Sequence, residues 1–289
     1  MMARRKLVAF QGERGAFSED AVRQMFPPDT ELLPCQSFEM LFSAVTENAA
    51  HFAVAPLENT LAGSVQRCYD LLLENSLFIL GETIVPIAHH LIGCQGATVS
   101  MIRTVESHPV ALAQCERFFA MHPDIRAVAS EDTAGSVRRV VEKRDLTVAA
   151  IAGSGAAAVY GGKILAEHLE DNLENYTRFV VLARESEIPP DADKLSLVFA
   201  LPHRPGVLSQ ALEPFARRGI DLLKIESRPV KGKPWEYRFY LDLHASTHTP
   251  HVGAALKELR SLTQELRILG CYPSAKSQQQ INTRESVVK

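Results

Sequence analysis

Long apolar runs are missing from this chain of 289 residues. None approaches the roughly 20 residues that a membrane-spanning helix needs, so no membrane partner is expected. Cysteine is scarce: Cys35, Cys68, Cys94, Cys115 and Cys271 are odd in number, widely spaced and never in a C-x-x-C pair. That excludes a disulfide framework and fits reduced thiols in a cytoplasm. Neither sign of charge dominates, with 31 Lys and Arg against 34 Asp and Glu. A net charge of −3 indicates no nucleic-acid partner. The basic start Met1–Lys6 leads directly into Leu7-Val8-Ala9-Phe10, too short a core for a signal peptide.

Several nucleotide and hydrolase motifs are absent too. Gly12-Glu13-Arg14-Gly15-Ala16-Phe17-Ser18 is not G-x-G-x-x-G, so a dinucleotide is poorly supported. Gly153-Ser154-Gly155 lacks the phosphate-loop lysine and is not G-x-S-x-G. His244, His248 and His251 have no carboxylate or thiolate beside them, so they read as surface histidines and no metal site is expected. His89 and His90 are neighbours on a strand, facing opposite sides, and cannot share a ligand.

What is present, 46% hydrophobic and 22% charged residues, is the make-up of a globular protein long enough for two domains. Apolar runs at Leu7–Phe10, Phe52–Pro56, Ile125–Ala129, Thr147–Ala152 and Phe179–Ala183 predict strands. Ala16–Met25, Val110–Phe119, Gly135–Lys143 and Gly155–His168 predict helices between them. The alternation implies an α/β domain over 6–184 with a mainly parallel sheet. Residues 185–193, acidic and carrying Pro189 and Pro190, read as a linker. Over 194–273 the order becomes βαββαβ, a ferredoxin-like module. Its strands are Leu195–Leu201, Ile220–Val230, Trp235–Leu243 and Leu266–Tyr272, and its helices follow Pro205 and Pro250. Pro214 should kink the first of these helices. The polar segment 274–289 reads as a tail without fixed structure.

Asn175-Tyr176-Thr177-Arg178-Phe179 sets a hydroxyl and a guanidinium at the mouth of a buried strand, where α/β folds open their ligand crevices. A strand-entry turn with a surface arginine is the competing reading. Pro56–Thr60, Glu106–Pro109 and Glu131–Ala134 repeat the design, apolar residues running into hydroxyls and amides. Such a pocket suits a polar anion already primed to react. Gly12–Ser18 is either an anion-binding helix start or a glycine turn capped by Ser18. His108 is either a turn histidine or a proton donor in the cleft.

In order along the chain, these segments resemble the signatures of the prephenate dehydratase family. They are Gly12–Ser18, Pro56–Gly63, Ser107–Cys115, Asp132–Ala134, Ala149–Ala152 and Asn175–Phe179, with Pro205–Leu208 and Glu226–Pro229 resembling those of an ACT regulatory domain. Ala16 stands where the family usually has threonine, Val110 where it has glutamine, His203 where asparagine is common and Val207 where alanine is common. The resemblance implies a two-lobed catalytic domain of type II periplasmic-binding-protein shape, with lobe crossings near Ile84 and Leu173. It implies conversion of prephenate to phenylpyruvate in phenylalanine biosynthesis, without metal, nicotinamide or covalent nucleophile. Thr177, Asn59 and Gln114 are implied in catalysis. Arg178, Ser107, His108, Thr60, Thr133, Gly15 and Phe179 are implied around the substrate, Arg178 either on a carboxylate or bracing the lobes. L-phenylalanine is the implied effector, at His203, Pro205, Gly206, Val207 and Leu208, with Glu226, Ser227, Arg228 and Pro229 closing the site in a homodimer or homotetramer. A fused chorismate mutase has no room before residue 7. Arogenate as substrate and a non-enzymatic ligand sensor are the other classes, the sensor lacking a signal peptide or helix-turn-helix segment to support it.

Overall fold

The structure, a computed structural model, describes residues 6–230, 232 and 235–275. The tail expected over 274–289 lies outside the described residues from 276 onward. Three sheets organise the rest. In the first, Leu7–Gln11 pairs in parallel with both Glu31–Cys35 and Phe52–Asn59. Tyr176–Ala183 follows beside Phe52–Asn59, and Phe78–Pro86 closes the order. Val8, Ala9 and Phe10 are buried in succession, as are Ala53, Val54 and Ala55. Runs without alternation are what a strand covered on both faces requires.

The second sheet has the order Lys163–Ala166, His90–Gly93, Val148–Ala152, Thr104–Ser107, Arg126–Ala129. Its centre feeds two cores by period two: Ala149 and Ile151 pack with Val105, Cys115 and Phe118, while Ala150 and Ala152 pack with Ala134, Val137 and Ala156. Val148–Ala152 runs parallel to Thr104–Ser107 but antiparallel to His90–Gly93, so this sheet is mixed and not mainly parallel. The chain passes from the first sheet to the second after Pro86 and returns at Tyr176. These sheets are the two lobes of an α/β domain.

Two expected helices are revised. The stretch Val110–Phe119 is two short helices, Pro109–Ala113 and Glu116–Met121, broken at Gln114 and Cys115. The stretch Gly155–His168 is helical only over Ser154–Tyr160, because Gly161 turns left-handed at φ 71° and a strand follows at Lys163–Ala166.

The third sheet is antiparallel, in the order Asp221–Pro229, Tyr237–His244, Lys194–Ala200, Glu265–Tyr272. Helices Val207–Ala216 and Pro250–Leu262 complete the βαββαβ module, burying Leu195, Leu197, Phe199, Leu241 and Leu243. The first helix runs through Pro214 without ending there. Trp235 does not join the strand: it is exposed, and its backbone is left-handed at φ 67°.

The chain forms two compact units, one of residues through Asn75 with Thr83–Val180, the other of Ser76–Glu82 with the chain from Val181 onward. The membership of Ser76–Glu82 has a visible cause. A Cβ on Gly270 would sit 2.1 Å from the Ile79 carbonyl oxygen, and Arg267 donates to the Leu77 carbonyl at 2.7 Å. Lys194 Nζ lies 2.9 Å from the Glu82 carboxylate, both buried. These seven residues therefore pack on the antiparallel sheet at its strands Lys194–Ala200 and Glu265–Tyr272.

Candidate active site

Both lobes of the first unit contribute to a cavity of about 420 Å³, within the usual range for small-molecule sites. Its polar wall is built by three segments. Asn59 ends the strand Phe52–Asn59, Thr177 begins the return strand, and Gln114 sits at the break between the two short helices. Asp171 holds that break open: its carboxylate accepts the amides of Glu116 and Arg117 at 2.8 and 3.0 Å, and its amide donates to the Gln114 carbonyl at 2.7 Å.

Hydrogen bonds fix the orientation of every amide here. Asn59 Oδ1 accepts the backbone amides of Leu61 and Ala62 at 3.0 and 2.8 Å, so Nδ2 is the atom that faces the return strand. Nδ2 donates to Asn175 Oδ1 at 2.8 Å and shares its other hydrogen between Thr177 Oγ1 at 3.0 Å and the Tyr176 carbonyl at 3.1 Å. Asn175 Nδ2 then donates to Gln114 Oε1 at 2.9 Å, leaving the Gln114 NH₂ for the cavity. Because Thr177 Oγ1 accepts from Asn59, and no acceptor among the described residues takes its hydrogen, the hydroxyl is free to donate to a ligand.

Among the described residues no lysine or arginine lines the cavity; Glu131 and Asp132 do. An anion must be held by neutral donors and by helix ends. The helix Phe17–Met25 supplies one: its N-cap is Ala16, without a capping side chain, and the amides of Phe17 and Ser18 are unpartnered among the described residues. Ser18 lines the cavity, so its hydroxyl is not a helix cap. The loop is braced by Glu19, whose carboxylate accepts from the Gly15 amide and from Arg14. Burial pushes the Glu19 carboxyl up, but these bonds outweigh it and the net shift is downward.

Of the residues implied in catalysis or around the substrate, Thr177, Asn59, Gln114, His108, Thr133 and Phe179 line the cavity. His108 Nδ1 accepts the Val110 amide at 3.2 Å, which leaves Nε2 as the protonated nitrogen. Four implied residues are not in the lining. Arg178 follows Thr177 on a strand, points to the other face, and lies 3.8 Å from Glu58. The Ser107 hydroxyl is spent on the Ile151 carbonyl at 2.6 Å. Thr60 clasps the return strand, donating to the Glu174 carbonyl and accepting the Tyr176 amide. Gly15, at φ 78°, packs against the second lobe, where a Cβ would lie 2.6 Å from Ala156 Cα. His89 lines the cavity without a role in the sequence reading. Asn175 has none there either, although it opens the Asn175–Phe179 motif, and it bonds Asn59 and Gln114 from behind the lining. His89 is not on a strand as expected but precedes the strand His90–Gly93. The two rings part all the same, His90 stacking edge-on with His168 while the His89 ring meets Phe17 and Gln114.

In the second unit, Gly206 is the N-cap of Val207–Ala216 at φ 77°, without a side-chain cap. His203 and Pro205 are exposed in the loop before it. Ala200 pairs with Arg238, which pairs with Arg228, so this loop and the segment Glu226–Pro229 leave the same end of the sheet. Among the described residues no cluster of three or more His, Cys, Asp or Glu is placed to hold a metal ion. No helix among them is long and apolar enough to cross a membrane.

Fold and cavity together define a two-lobed α/β enzyme domain with a ferredoxin-like module appended. Residues 8–187 match the family model for prephenate dehydratase, and residues 196–262 match that for the ACT domain. The chain belongs to the prephenate dehydratase family, a family of lyases, and carries a C-terminal ACT domain. It is 41% identical to arogenate dehydratase/prephenate dehydratase 2 of Arabidopsis thaliana, over 92% of this chain and 72% of that one. Prephenate dehydratase from Arthrobacter aurescens, solved in complex with L-Phe, superposes with a TM-score of 0.86 at 32% identity, covering 94% and 91% of the two chains. A structure described as GqqA, a quorum quenching acylase, superposes at 0.85 with 34% identity over 93% and 98%.

Proposed function

We propose that this enzyme converts prephenate to phenylpyruvate and that L-phenylalanine regulates it through the ACT domain. Prephenate carries two carboxylates and a hydroxyl on a ring that becomes aromatic when CO₂ and hydroxide depart. The carbon–carboxylate bond supplies the electrons and the ring carries them to the carbon losing hydroxide, so the enzyme must hold the dianion and assist the leaving oxygen. The observation that carries this reading is the Asn59–Thr177 bond, in which the threonine oxygen accepts and its hydrogen is left for a ligand in the cavity. A threonine hydroxyl is too weak an acid to protonate the oxygen alone, but it stabilises hydroxide by donating to it. The free Gln114 NH₂ and the uncapped helix start at Ala16 are suited to the carboxylates.

A second reading, arogenate, draws on the name of the plant relative and on Glu131 and Asp132, carboxylates suited to the ammonium group that replaces the keto group. Amide hydrolysis of the acylase kind finds less support, since no imidazole among the described residues bonds the Thr177 hydroxyl to activate it.

Purified protein supplied with each substrate separately tests the reading. Phenylpyruvate forming from prephenate, unaffected by EDTA, is the expected result. Phenylalanine forming from arogenate alone would transfer the assignment to the second reading, and no product from either would overturn both. Calorimetry with L-phenylalanine tests the regulatory half. Its support is the uncapped N-terminus at Gly206, which suits an amino-acid carboxylate. No heat of binding at millimolar concentration, with turnover unchanged, removes the effector.

A further inference from the structure

His89 lies on the wall of the same cavity, 2% exposed, with Nε2 2.9 Å from Gln114 Oε1. Which nitrogen carries its hydrogen follows from the chain of amide bonds. The backbone amides of Leu61 and Ala62 can only donate, which fixes Asn59; Asn59 fixes Asn175; Asn175 makes Gln114 Oε1 an acceptor. A nitrogen 2.9 Å from that oxygen must donate, so His89 is protonated on Nε2. Its Nδ1 is buried and has no hydrogen-bond partner among the described residues.

We infer that His89 is a positioning residue for this reaction, acting through Gln114: as the neutral Nε2–H tautomer it holds the Gln114 amide with its NH₂ turned into the cavity. The inference rests on the proposed dehydratase reading for its kinetic consequence, though not for the tautomer. With Nε2–H and Asn175 Nδ2 both aimed at one side of the Gln114 amide, a flip would set NH₂ against two donors. Such a clash leaves buried donors unpaired, which is costly. The imidazole must also stay uncharged, because a second proton would sit on Nδ1 facing no acceptor among the described residues. The groups around it agree. Burial holds the His89 pKa below its ordinary value, helped by His90 and opposed by the Gln114 bond and by the Glu170 carboxylate, which accepts the His89 amide at 2.7 Å. On its other sides are the Phe17 ring and the cavity bearing Glu131, Asp132 and His108.

Two measurements on the full chain decide it. In ¹⁵N-histidine NMR, with His89 identified by its loss in His89→Gln, the Nε2–H pattern is expected to persist unchanged from about pH 5.5 to 8, a window centred near the ordinary histidine pKa. An Nδ1–H pattern, or titration within that window, overturns the inference whatever the enzyme's substrate. In kinetics, His89→Ala is expected to lower kcat about tenfold, the effect of losing one positioned hydrogen bond. His89→Gln, which returns an N–H to the same place, is expected to recover most of it. Added to Gln114→Ala, His89→Ala is expected to do nothing more, whereas a loss that multiplies in full marks a role independent of Gln114 and sinks the inference. Failure of the parent enzyme on both substrates counts against the dehydratase reading alone, and the NMR result still decides His89.

Discussion

Thr177 and Arg178 are adjacent, and only one of them reaches the cavity. That much is legible in the amino-acid sequence: on a strand, a residue that faces the ligand sends its neighbour to the other side. Thr177 and Phe179 share a face, which takes Arg178 out of it. For His89 the same rule predicts a separation from His90, but nothing in the sequence says which of the two faces is the cavity. Its role depends on Gln114 and Asn175, 25 and 61 residues apart along the bonded chain. Thr177→Val keeps the shape of the side chain and removes the hydroxyl that accepts from Asn59 and lines the cavity. Its kcat is expected to fall about 10²–10³-fold, as when an oxyanion donor is deleted, with KM changed far less. A kcat within a few-fold of the parent would mean that the hydroxyl does not meet the leaving group.

At the scale of elements, apolar periodicity reveals five strands of the lobes and the helices Phe17–Met25 and Thr133–Lys143. It does not reveal Glu31–Cys35, Phe78–Pro86 or the helices Phe38–Thr46 and Gln66–Glu74, and the two revised helices fail for particular causes. Gly161-Gly162 is a stop signal in plain view, and the helix after Gly155 ends there. The break at Gln114 has no such signal. It is made by Asp171, remote in sequence, which caps the second short helix and belongs to no local pattern. Asp171→Ala should therefore cost about 1 kcal/mol, roughly 2–4 °C in Tm, as the loss of a helix cap does. Because Gln114 sits at the break that this carboxylate holds, kcat is expected to drop with it. Differential scanning and turnover on one preparation check both, and a Tm equal to the parent's would show that the cap contributes nothing.

At the scale of the molecule, sequence patterns supply the order of the βαββαβ module but not its full membership. Ser76–Glu82 carries no sequence reading of its own, and nothing local reveals that it packs on a sheet more than a hundred residues away. Lys194 anchors it, flanked by Glu82 at 2.9 Å and Asp242 at 3.9 Å, while Asp242 also accepts from Ser196. Lys194→Met leaves two buried carboxylates without their cation and should destabilise this unit by about 3–5 kcal/mol, read from urea unfolding. Adding Glu82→Gln is expected to return part of that loss; no loss in the single variant would show the pair to be solvated. Deleting 194–289 to remove regulation would also bare Leu77 and Ile79, so single substitutions around Gly206 are the cleaner probe. The tight approach of Gly15 to the helix Ser154–Tyr160 carries one more consequence. A Cβ on Gly155 would stand 3.2 Å from the Gly15 carbonyl and 3.3 Å from Asp20, closer than atoms settle without giving way. Unlike Gly15, Gly155 has helical backbone, so alanine there strains nothing local and acts as a shim of one methyl thickness between the lobes. The rate of an enzyme carrying that shim becomes a ruler, reporting in tenths of an ångström how tolerant the chemistry is of a cleft that cannot quite shut.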